Sequence, residues 1–349
     1  MTGPESILIN SRYDVALLDL DGVVYLGAHP LPGVAIAVAA LGGMRLAYVT
    51  NNATRTPAQV WEQLEEIGCP GSAADVVTSC QAAAGILSEL LPAGSRVLVV
   101  GAPALFQAVA DAGLVGVRSL AEEPAAVVQG LSLDMTYADL TEAALAIRRG
   151  LPWVATNTDA TLPTSRGLQP GNGAFVEALR TATGRVPVAA GKPQPALFRA
   201  AAAAARAQRP VVVGDRLDTD IAGAHNAGLD SLLVLSGVSS AADALRTPPE
   251  LRPTYVGWDV AALVQPHPVV AELMEPHLLM ISADAGRSCG GWTATATDGR
   301  LALTGDGEAL DALRALLALP VAAAAVTGVG RAATEALHAL GLAPSGDTV

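Results

Sequence analysis

The chain has 349 residues, which is long enough for two domains and a smaller third unit. Hydrophobic residues make up 51% of it, but the excess is mostly alanine, and no run reaches the roughly 18 apolar residues that a membrane span needs. The formal net charge of −12 argues against a nucleic-acid partner, because no basic stripe is available to bind a phosphate backbone.

The N-terminus and the cysteines predict a soluble, cytoplasmic protein without a membrane span. The first twelve residues hold Glu5 and Arg12 and no apolar segment, so we expect no signal peptide. The three cysteines, Cys69, Cys80 and Cys289, form no Cys-x-x-Cys pair, which predicts buried free thiols in a reducing compartment. The histidines show no metal-ligand spacing, and no Gly-x-Ser-x-Gly segment is present. Zinc enzymes and serine hydrolases are therefore disfavoured.

Strand and helix signals alternate along the first 265 residues. Predicted strands cover 14–18, 45–49, 97–100, 125–129, 153–155, 188–190, 210–213 and 231–235. Predicted helices cover 34–41, 57–67, 104–112, 140–149, 174–183, 195–207 and a segment from Thr219, and a Gly/Pro-rich loop covers 162–173. Regular alternation of this kind predicts parallel sheets joined by right-handed crossovers.

From about His267 the pattern changes. Two strand-like runs flank the turn signal Thr297-Asp298-Gly299-Arg300, and Ala/Leu-rich helices are predicted over 308–319 and 331–340. This pattern predicts a separate small α+β unit of about 80 residues.

Two acids, Asp19 and Asp21, follow the first buried strand and precede Gly22. The carboxyl ends of strands in open α/β sheets are where ligands bind. Residues i and i+2 of a strand point to the same side, so both carboxylates could face one substrate, held ionised by a divalent cation. The alternative is an ordinary polar strand exit, because Asp-Gly is also a common turn dipeptide.

Two further segments place polar groups suited to phosphate. Thr50-Asn51-Asn52 follows the second strand, where a hydroxyl and backbone N–H groups can bind phosphate oxygens, although a simple polar loop would look the same. Lys192, between Gly191 and Pro193, is the only lysine among 21 basic residues. In a chain so biased to arginine, this suggests a site that requires a compact ammonium group, unless one lysine remains by chance.

The fourth segment is an acidic strand end. Val211-Val212-Val213-Gly214 is followed by Asp215, Asp218 and Asp220. Acids at the start of a helix also serve as caps, which is the alternative for Asp218 and Asp220. Asp215 lies directly at the strand end and is the better candidate for a metal ligand, since Mg²⁺ takes one or two carboxylates together with substrate phosphate oxygens.

In this order, the four segments resemble the four motifs of the haloacid dehalogenase superfamily of aspartate phosphotransferases. Only 29 positions separate Asp21 from Thr50, whereas 142 separate Thr50 from Lys192, enough for an inserted α/β domain. That insertion point, the Asp-x-Asp-Gly-x-x-Tyr segment and the run GDRLDTDI resemble the subfamily of p-nitrophenylphosphatases, phosphoglycolate phosphatases and pyridoxal phosphatases. The resemblance covers about residues 12–265.

The resemblance implies an α/β fold with three parts. A Rossmann-like parallel-sheet core is expected at 1–75 and 188–266, an inserted α/β cap at 76–187, and a small C-terminal α+β unit at 267–349. The C-terminal unit resembles a fragment of a GNAT acetyltransferase fold. Gly328-Val329-Gly330-Arg331 is at best a remnant of a pyrophosphate loop, so we expect a structural or partner-binding unit.

The resemblance also implies roles for single residues. Asp19 is the expected nucleophile, and the Asp21 side chain is the expected acid and base. Mg²⁺ is the expected cofactor, held by Asp19, the backbone carbonyl of Asp21 and Asp215. Asp220 is expected to order the metal waters or Lys192.

Phosphate binding is assigned by the resemblance to Thr50 and Lys192, with Asn51 and Asn52 assisting. Substrate choice falls to the cap, where the candidates are Asn157, Asp159, Arg166 and Asn172. The expected partner is a small phosphorylated metabolite. The resemblance extends through the tail in actinobacterial glycerol 3-phosphate phosphatases, which implies glycerol 3-phosphate, with phosphoglycolate, pyridoxal phosphate or another small phosphometabolite as alternatives.

Two other interpretations stay open on the sequence. One is a non-catalytic protein that binds a phosphometabolite, and the other is a bifunctional enzyme whose tail adds acetyl transfer. Capped phosphatases of this kind often pair through the cap, so a homodimer is a further expectation.

Overall fold

The computed structural model describes residues 6–164, 166–273, 285–297, 300–321 and 326–342. The strands are β1 Ser6–Leu8, β2 Val15–Leu18, β3 Tyr25–Leu26, β4 His29–Pro30, β5 Arg45–Thr50, β6 Val76–Thr78, β7 Arg96–Val100, β8 Val115–Val117, β9 Ala126–Gln129, β10 Trp153–Ala155, β11 Thr161–Thr164, β12 Gly167–Pro170, β13 Val188–Ala189, β14 Pro210–Gly214, β15 Asp230–Val234, β16 Tyr255–Gly257, β17 Pro266–Pro268, β18 Ala271–Glu272, β19 Ala285–Cys289, β20 Trp292–Thr297, β21 Arg300–Gly305 and β22 Val326–Gly328. The helices are α1 Ile9–Arg12, α2 Val34–Ala39, α3 Pro57–Ile67, α4 Ser79–Leu90, α5 Pro103–Asp111, α6 Tyr137–Arg148, α7 Asn172–Thr183, α8 Pro195–Ala204, α9 Ala222–Ala227, α10 Ala241–Arg246, α11 Ala309–Leu317 and α12 Arg331–Ala339.

The first sheet is a six-stranded parallel sheet with the order β16-β15-β14-β2-β5-β6. Its central strand β2 is completely buried, which explains its continuous apolar sequence, because both faces of a parallel sheet are covered. Leu18 lies opposite Val213 on one side and Tyr48 on the other. The carboxyl ends of β2, β5 and β14 therefore meet at one edge of the sheet.

A second, five-stranded parallel sheet has the order β13-β10-β9-β7-β8. A hairpin of β11 and β12 follows β10, and α7 begins at Asn172. The loop predicted for 162–173 was therefore wrong over most of its length. Pro163 and Pro170 argued against strands, but a two-stranded ribbon has a free edge on each side, where a missing N–H group is tolerated.

Two short strands pair across the predicted domain limits. Val76–Thr78, which was not predicted as a strand, adds to the first sheet beside β5, and Val188–Ala189 adds to the second sheet beside β10. Helix α4, also unpredicted, follows the first of these strands, and one hydrophobic core contains Val49 of the first sheet, Leu87 of α4 and Val128 of the second sheet. The two sheets thus share a continuous core.

Several local predictions are confirmed. Helix α3 covers the predicted residues and begins after Thr56, whose hydroxyl accepts a hydrogen bond from the backbone N–H of Gln59. The helix predicted from Thr219 begins instead as a π-helical turn, Leu217–Ile221, which continues into α9. All three cysteines are buried and unpaired. Within the described ranges, every helix is too short or too polar to cross a lipid bilayer.

The C-terminal unit is a five-stranded sheet with the order β18-β19-β20-β21-β22, covered by α11 and α12. The pairing of Thr297 with Arg300 confirms the predicted hairpin, although Asp298 and Gly299 lie outside the described residues. The core of this unit also contains Leu245 and Val256, which belong to α10 and β16. The unit is therefore packed against the first sheet.

Candidate active site

The carboxyl edge of the six-stranded sheet gathers three acids. Asp19 follows β2 directly, and its backbone N–H donates a 2.9 Å hydrogen bond to the carbonyl of Val213. Asp215 follows β14, and Asp220 lies in the π-helical turn. One carboxylate oxygen from each acid lies within 4.8 Å of the others, and all three side chains are buried.

Lys192 is the cation of this cluster and is only 4% exposed. Its Nζ lies 2.5 Å from Asp19 Oδ1 and 2.6 Å from Asp220 Oδ1. Burial acts to lower the pKa of Lys192, but the charges of Asp19 and Asp220 outweigh it and raise the pKa above its ordinary value. One ammonium group faces three carboxylates, so the cluster retains an excess of negative charge.

Asp215 is the acid of this cluster with which Lys192 forms no ion pair. Its Oδ2 accepts a 2.7 Å hydrogen bond from the backbone N–H of Val238, whereas its buried Oδ1 has no hydrogen-bond partner among the described residues. Burial and the charge of Asp220 raise the pKa of Asp215 to about 6. Carboxylate oxygens are the ligands that Mg²⁺ prefers, so a buried carboxylate oxygen without a donor fits a divalent cation.

Asp220 differs from Asp215 because donors reach both of its oxygens. Lys192 Nζ donates to Oδ1, and the backbone N–H of Arg216 donates to Oδ2 at 3.2 Å. Gly214 allows this approach, since a Cβ there would lie 2.1 Å from the Asp220 Cβ. The geometry suits Asp220 to holding Lys192 in place.

Asp21 lies at the mouth of the site and is exposed, in contrast to the buried Asp19. The prediction that both acids follow the alternation of one strand was wrong, because β2 ends at Leu18. Beyond it the chain turns, and the carbonyl of Leu20 accepts hydrogen bonds from the N–H groups of Val24 and Tyr25. After this turn the Asp21 side chain is exposed, whereas the Asp19 side chain is buried.

Thr50 and Asn52 play different parts in the loop after β5. The Thr50 hydroxyl is buried at the sheet edge and accepts a 3.1 Å hydrogen bond from the backbone N–H of Asn52. The Asn52 side chain instead closes a local turn, with its Oδ1 accepting from the N–H groups of Thr54 and Arg55. Of the two, Thr50 retains a hydroxyl proton for an incoming phosphate oxygen.

Asn51 joins the two sheets. Its Oδ1 accepts from the backbone N–H of Lys192 at 2.8 Å, and its Nδ2 donates to the Lys192 carbonyl and to Asp159 Oδ2, both at 3.1 Å. The Asn51 carbonyl accepts from Asn157 Nδ2 at 2.7 Å and from Ser79 Oγ at 2.8 Å. The Asn51 side chain is thus engaged within the protein and sets the backbone position of Lys192.

The structure separates the four cap candidates. Asn157 and Asn172 are buried, and Asn172 Nδ2 donates to the Asn157 carbonyl at 2.7 Å, so both support the loop after β10. Asp159 is half-buried and reaches the site through Asn51; burial raises its pKa, and the hydrogen bond from Asn51 opposes that shift. Arg166 is exposed at the turn of the β11–β12 hairpin, and no hydrogen bond within the described ranges joins it to the cluster.

Three contributing residues were missed in the sequence. A Cβ at Gly191 would lie 2.6 Å from Asn51 Oδ1 and 2.7 Å from the Thr156 carbonyl, so only glycine fits there. Ser79 holds the Asn51 carbonyl, and the charge of Arg216 acts on Asp159. Glycine beside the single lysine was an available signal for the first, whereas nothing local marked the other two.

Three family models match the chain. They are a haloacid dehalogenase-like hydrolase model over residues 16–115, a HAD-hydrolase-like model over 189–263 and a GCN5-related N-acetyltransferase-like domain over 289–342. The two hydrolase matches contain all four motif segments. The third match coincides with the C-terminal unit.

Individual relatives agree with these matches. D-glycerol 3-phosphate phosphatase of Mycobacterium tuberculosis is 50% identical over 268 residues, which cover 77% of this chain and 76% of the relative. Acid sugar phosphatase of Staphylococcus aureus is 38% identical, over 70% of this chain and 94% of the relative. A crystal structure of a glycerol phosphate phosphatase from Mycobacterium tuberculosis in complex with magnesium superposes with a TM-score of 0.85 at 42% identity, over 97% of this chain and 100% of that one.

Proposed function

Because the chain belongs to the haloacid dehalogenase-like hydrolases, we propose that it is a Mg²⁺-dependent phosphatase that hydrolyses a small phosphomonoester, with glycerol 3-phosphate as its first substrate. The observation that carries the proposal is Lys192, buried between Asp19 and Asp220 beside the unpaired Oδ1 of Asp215. This arrangement offers a nucleophile, a phosphate-binding cation and a cation site at one sheet edge. The names of the two relatives, a glycerol 3-phosphate phosphatase and a sugar phosphatase, support a small polyol phosphate.

The reaction proceeds in two steps on the residues of this chain. The Asp19 carboxylate attacks phosphorus, the bond from phosphorus to the alcohol oxygen breaks, and Asp21 donates its proton to the leaving alkoxide. Asp21 then takes a proton from water, which attacks the phosphorus of the aspartyl-phosphate and releases phosphate and a free Asp19. The exposed position of Asp21 at the mouth of the site gives it access to both the leaving group and water.

The binding groups act on the phosphoryl oxygens. Lys192 and the Thr50 hydroxyl donate to them, while Asn51 holds the Lys192 backbone and Asp220 holds its ammonium group. Asp19, Asp215 and the backbone carbonyl of Asp21 would hold Mg²⁺, which when bound screens the repulsion between the carboxylate and the phosphate. Asn52 assists by shaping the loop that carries Thr50.

Substrate choice is proposed to rest on Asp159. Its carboxylate reaches the site and can accept a hydrogen bond from a hydroxyl of the leaving alcohol. Asn157 and Asn172 position the loop that carries it, since their amide groups are used inside the protein. Arg166 remains a candidate from the exposed hairpin.

Phosphate release tests the proposal. The full chain is assayed with Mg²⁺ on glycerol 3-phosphate, phosphoglycolate, pyridoxal phosphate and p-nitrophenyl phosphate, with a chelator in a parallel series. We expect chelator-sensitive release, fastest from glycerol 3-phosphate. Binding of these compounds without release from any of them would replace the enzyme by a phosphometabolite-binding protein. Release that favours another compound would keep the phosphatase and change its substrate.

We also propose that the boundaries between the core and the cap lie after Thr78 and after Ala189, where the strand pairing changes from one sheet to the other.

A homodimer formed through the cap is supported by Leu133 and Tyr137, which are 78% and 86% exposed. Light scattering that gives the mass of one chain would refute the dimer. The buried free cysteines support a cytoplasmic location.

The C-terminal unit is proposed to be structural and not an acetyltransferase. A Cβ at Gly328 would lie 3.1 Å from Leu337 Cδ1, so this glycine allows α12 to pack on β22. Release of free coenzyme A from acetyl-coenzyme A by the full chain would refute this assignment.

A further inference from the structure

The segment Ser236–Ser240 wraps around Asp215. The backbone N–H of Val238 donates to Asp215 Oδ2 at 2.7 Å, and that of Ser239 donates to the Asp215 carbonyl at 3.0 Å. A Cβ at Gly237 would lie 2.0 Å from Asp215 Oδ2, so the backbone presses against the carboxylate. The direction of the Asp215 carboxylate is therefore set by the position of this segment.

The same segment contacts the turn that carries Asp220. Ser239 Oγ accepts a 3.0 Å hydrogen bond from the backbone N–H of Leu217, the first residue of the π-helical turn. The Ser236 hydroxyl donates to the carbonyl of Gly22 at 2.7 Å, next to Asp21. The segment therefore contacts Asp215, the turn that carries Asp220 and the residue that follows Asp21, so a displacement of it would change the relative positions of these acids.

The segment continues without a break into helix α10, and α10 is packed into the C-terminal unit. Ala241 and Leu245 of α10 are 2% exposed and lie in one hydrophobic core with Leu313 and Leu316 of α11. A helix of six residues is not stable without tertiary packing, so α10 depends on its contacts with the C-terminal unit.

Leu317, the last residue of α11, packs against that core and also makes a second contact near α10. It packs against a small cluster of Ile221, Leu233 and Ala244, which also touches Leu217. Ile221 directly follows Asp220, and Leu217 begins the turn that carries it. A residue of the C-terminal unit thus lies behind the side chain that holds Lys192.

Arg252 connects α10 to the C-terminal unit through hydrogen bonds. Its guanidinium donates to the carbonyls of Leu245 and Thr247 on the side of α10, each at 3.1 Å. On the side of the C-terminal unit, it donates to three carbonyls. One is that of Leu317, the last residue of α11, at 2.7 Å, and the other two follow the helix, those of Leu319 at 2.8 Å and Val321 at 2.6 Å. All five N–H bonds of the planar guanidinium are used, which a lysine ammonium with three donors cannot reproduce.

We propose that the C-terminal unit acts as a buttress for the metal-binding acids, with Arg252 and Leu317 as positioning residues for Asp215 and Asp220. The inference rests on the proposed function only for the identity of the bound cation. It assigns the unit a part in the phosphatase reaction without any chemistry of its own. The residues proposed to bind substrate are not involved, so the C-terminal unit is expected to affect binding of the cation and not binding of the alcohol.

The test measures Mg²⁺ binding by calorimetry on the full chain without substrate. Leu317→Val removes one methylene from the contact with the cluster of Ile221, Leu233 and Ala244, and Arg252→Lys removes at least two of the five hydrogen bonds. We expect each variant to raise the Mg²⁺ dissociation constant at least threefold, with the KM for the substrate at saturating Mg²⁺ unchanged and kcat restored by excess Mg²⁺. Arg331→Lys, at a side chain that is 92% exposed in the same unit, is the matched control and should change neither value.

A second measurement does not depend on the cation. Amide hydrogen exchange of Val238 in the metal-free protein reports the hydrogen bond to Asp215, and Leu317→Val should accelerate it at least threefold while exchange in β2 stays unchanged. Folded variants whose Mg²⁺ affinity and Val238 exchange match the parent would overturn the inference. A parent chain that binds Mg²⁺ with the expected variant effects but releases no phosphate would overturn the proposed function and leave the buttress intact.

Discussion

Replacing Lys192 is the most informative perturbation of the site, because this residue neutralises two buried acids at once. At distances of 2.5 and 2.6 Å and an effective dielectric constant of about 20, each contact has a gross Coulomb attraction of roughly 6 kcal/mol. Much of this is offset by the desolvation of three charges. Removing one partner of such a buried pair costs about 3–5 kcal/mol of stability.

The catalytic effect should be separable from the loss of stability. Lys192→Met removes a donor to the phosphoryl group, which in comparable sites lowers kcat by about 10²–10³-fold. Lys192→Arg retains the charge, but the planar guanidinium is larger than the ammonium in a position that is 4% exposed, so we expect it to restore less than a tenth of the activity.

The assay is Mg²⁺-dependent phosphate release, with thermal unfolding measured in parallel. The double variant Lys192→Met with Asp220→Asn removes one of the two unpaired acids, so it should regain part of the lost stability and none of the lost activity. Arg209→Met, at an exposed arginine in the loop before β14, is the control and should retain full activity. Activity of Lys192→Arg within threefold of the parent would refute the need for a compact cation at this site.

The remaining predictions concern the nucleophile, a close backbone approach and the C-terminal unit. Asp19→Asn should abolish phosphate release and aspartyl-phosphate trapping, and turnover by a folded variant would contradict the covalent mechanism. Gly191→Ala should lower the free energy of unfolding by about 1–3 kcal/mol, because its Cβ meets Asn51 and Thr156, whereas Gly85→Ala in α4, where no atom lies within 4 Å, should be neutral or stabilising in the same denaturant titration. His267 accepts a hydrogen bond from Arg314 at Nδ1, and burial and the Arg314 charge lower its pKa. The His267 imidazole therefore binds a proton more readily in the unfolded chain than in the folded one, so the free energy of unfolding is highest above about pH 6.5 and decreases below it. His267→Gln should reduce the difference between the unfolding midpoints at pH 7.5 and pH 5.5. An unchanged difference would show that other groups cause the pH dependence.

The four motif segments could be located from the sequence because each is a local pattern. The buried strands β2 and β14 are continuous apolar runs, and the residue that follows each, Asp19 or Asp215, is polar. In a parallel sheet such residues must meet at the carboxyl edge, whatever the details of packing. The distance from Thr50 to Lys192 likewise indicated an inserted domain, since no single crossover needs so many residues.

Strand alternation failed at Asp21 because it holds only where a strand continues. The turn after Leu18 depends on hydrogen bonds to the Leu20 carbonyl, which no periodic pattern of side chains indicates. The hairpin of β11 and β12 was missed for a similar reason, because propensity treats proline as a strand breaker and cannot tell a free edge from a paired one.

The sequence alone therefore determined the fold class, the order of the motifs and the acids that converge with a single lysine. Only the tertiary structure decided that Asn51 positions Lys192, that Arg166 lies apart from the cluster and that Arg252 joins the C-terminal unit to α10. The physical reason is the separation in sequence between the residues that interact. The burial of apolar residues is indicated by short stretches of sequence. A hydrogen bond instead requires two atoms within about 3 Å, and Asn51 and Lys192, which form one, are 141 positions apart in the sequence.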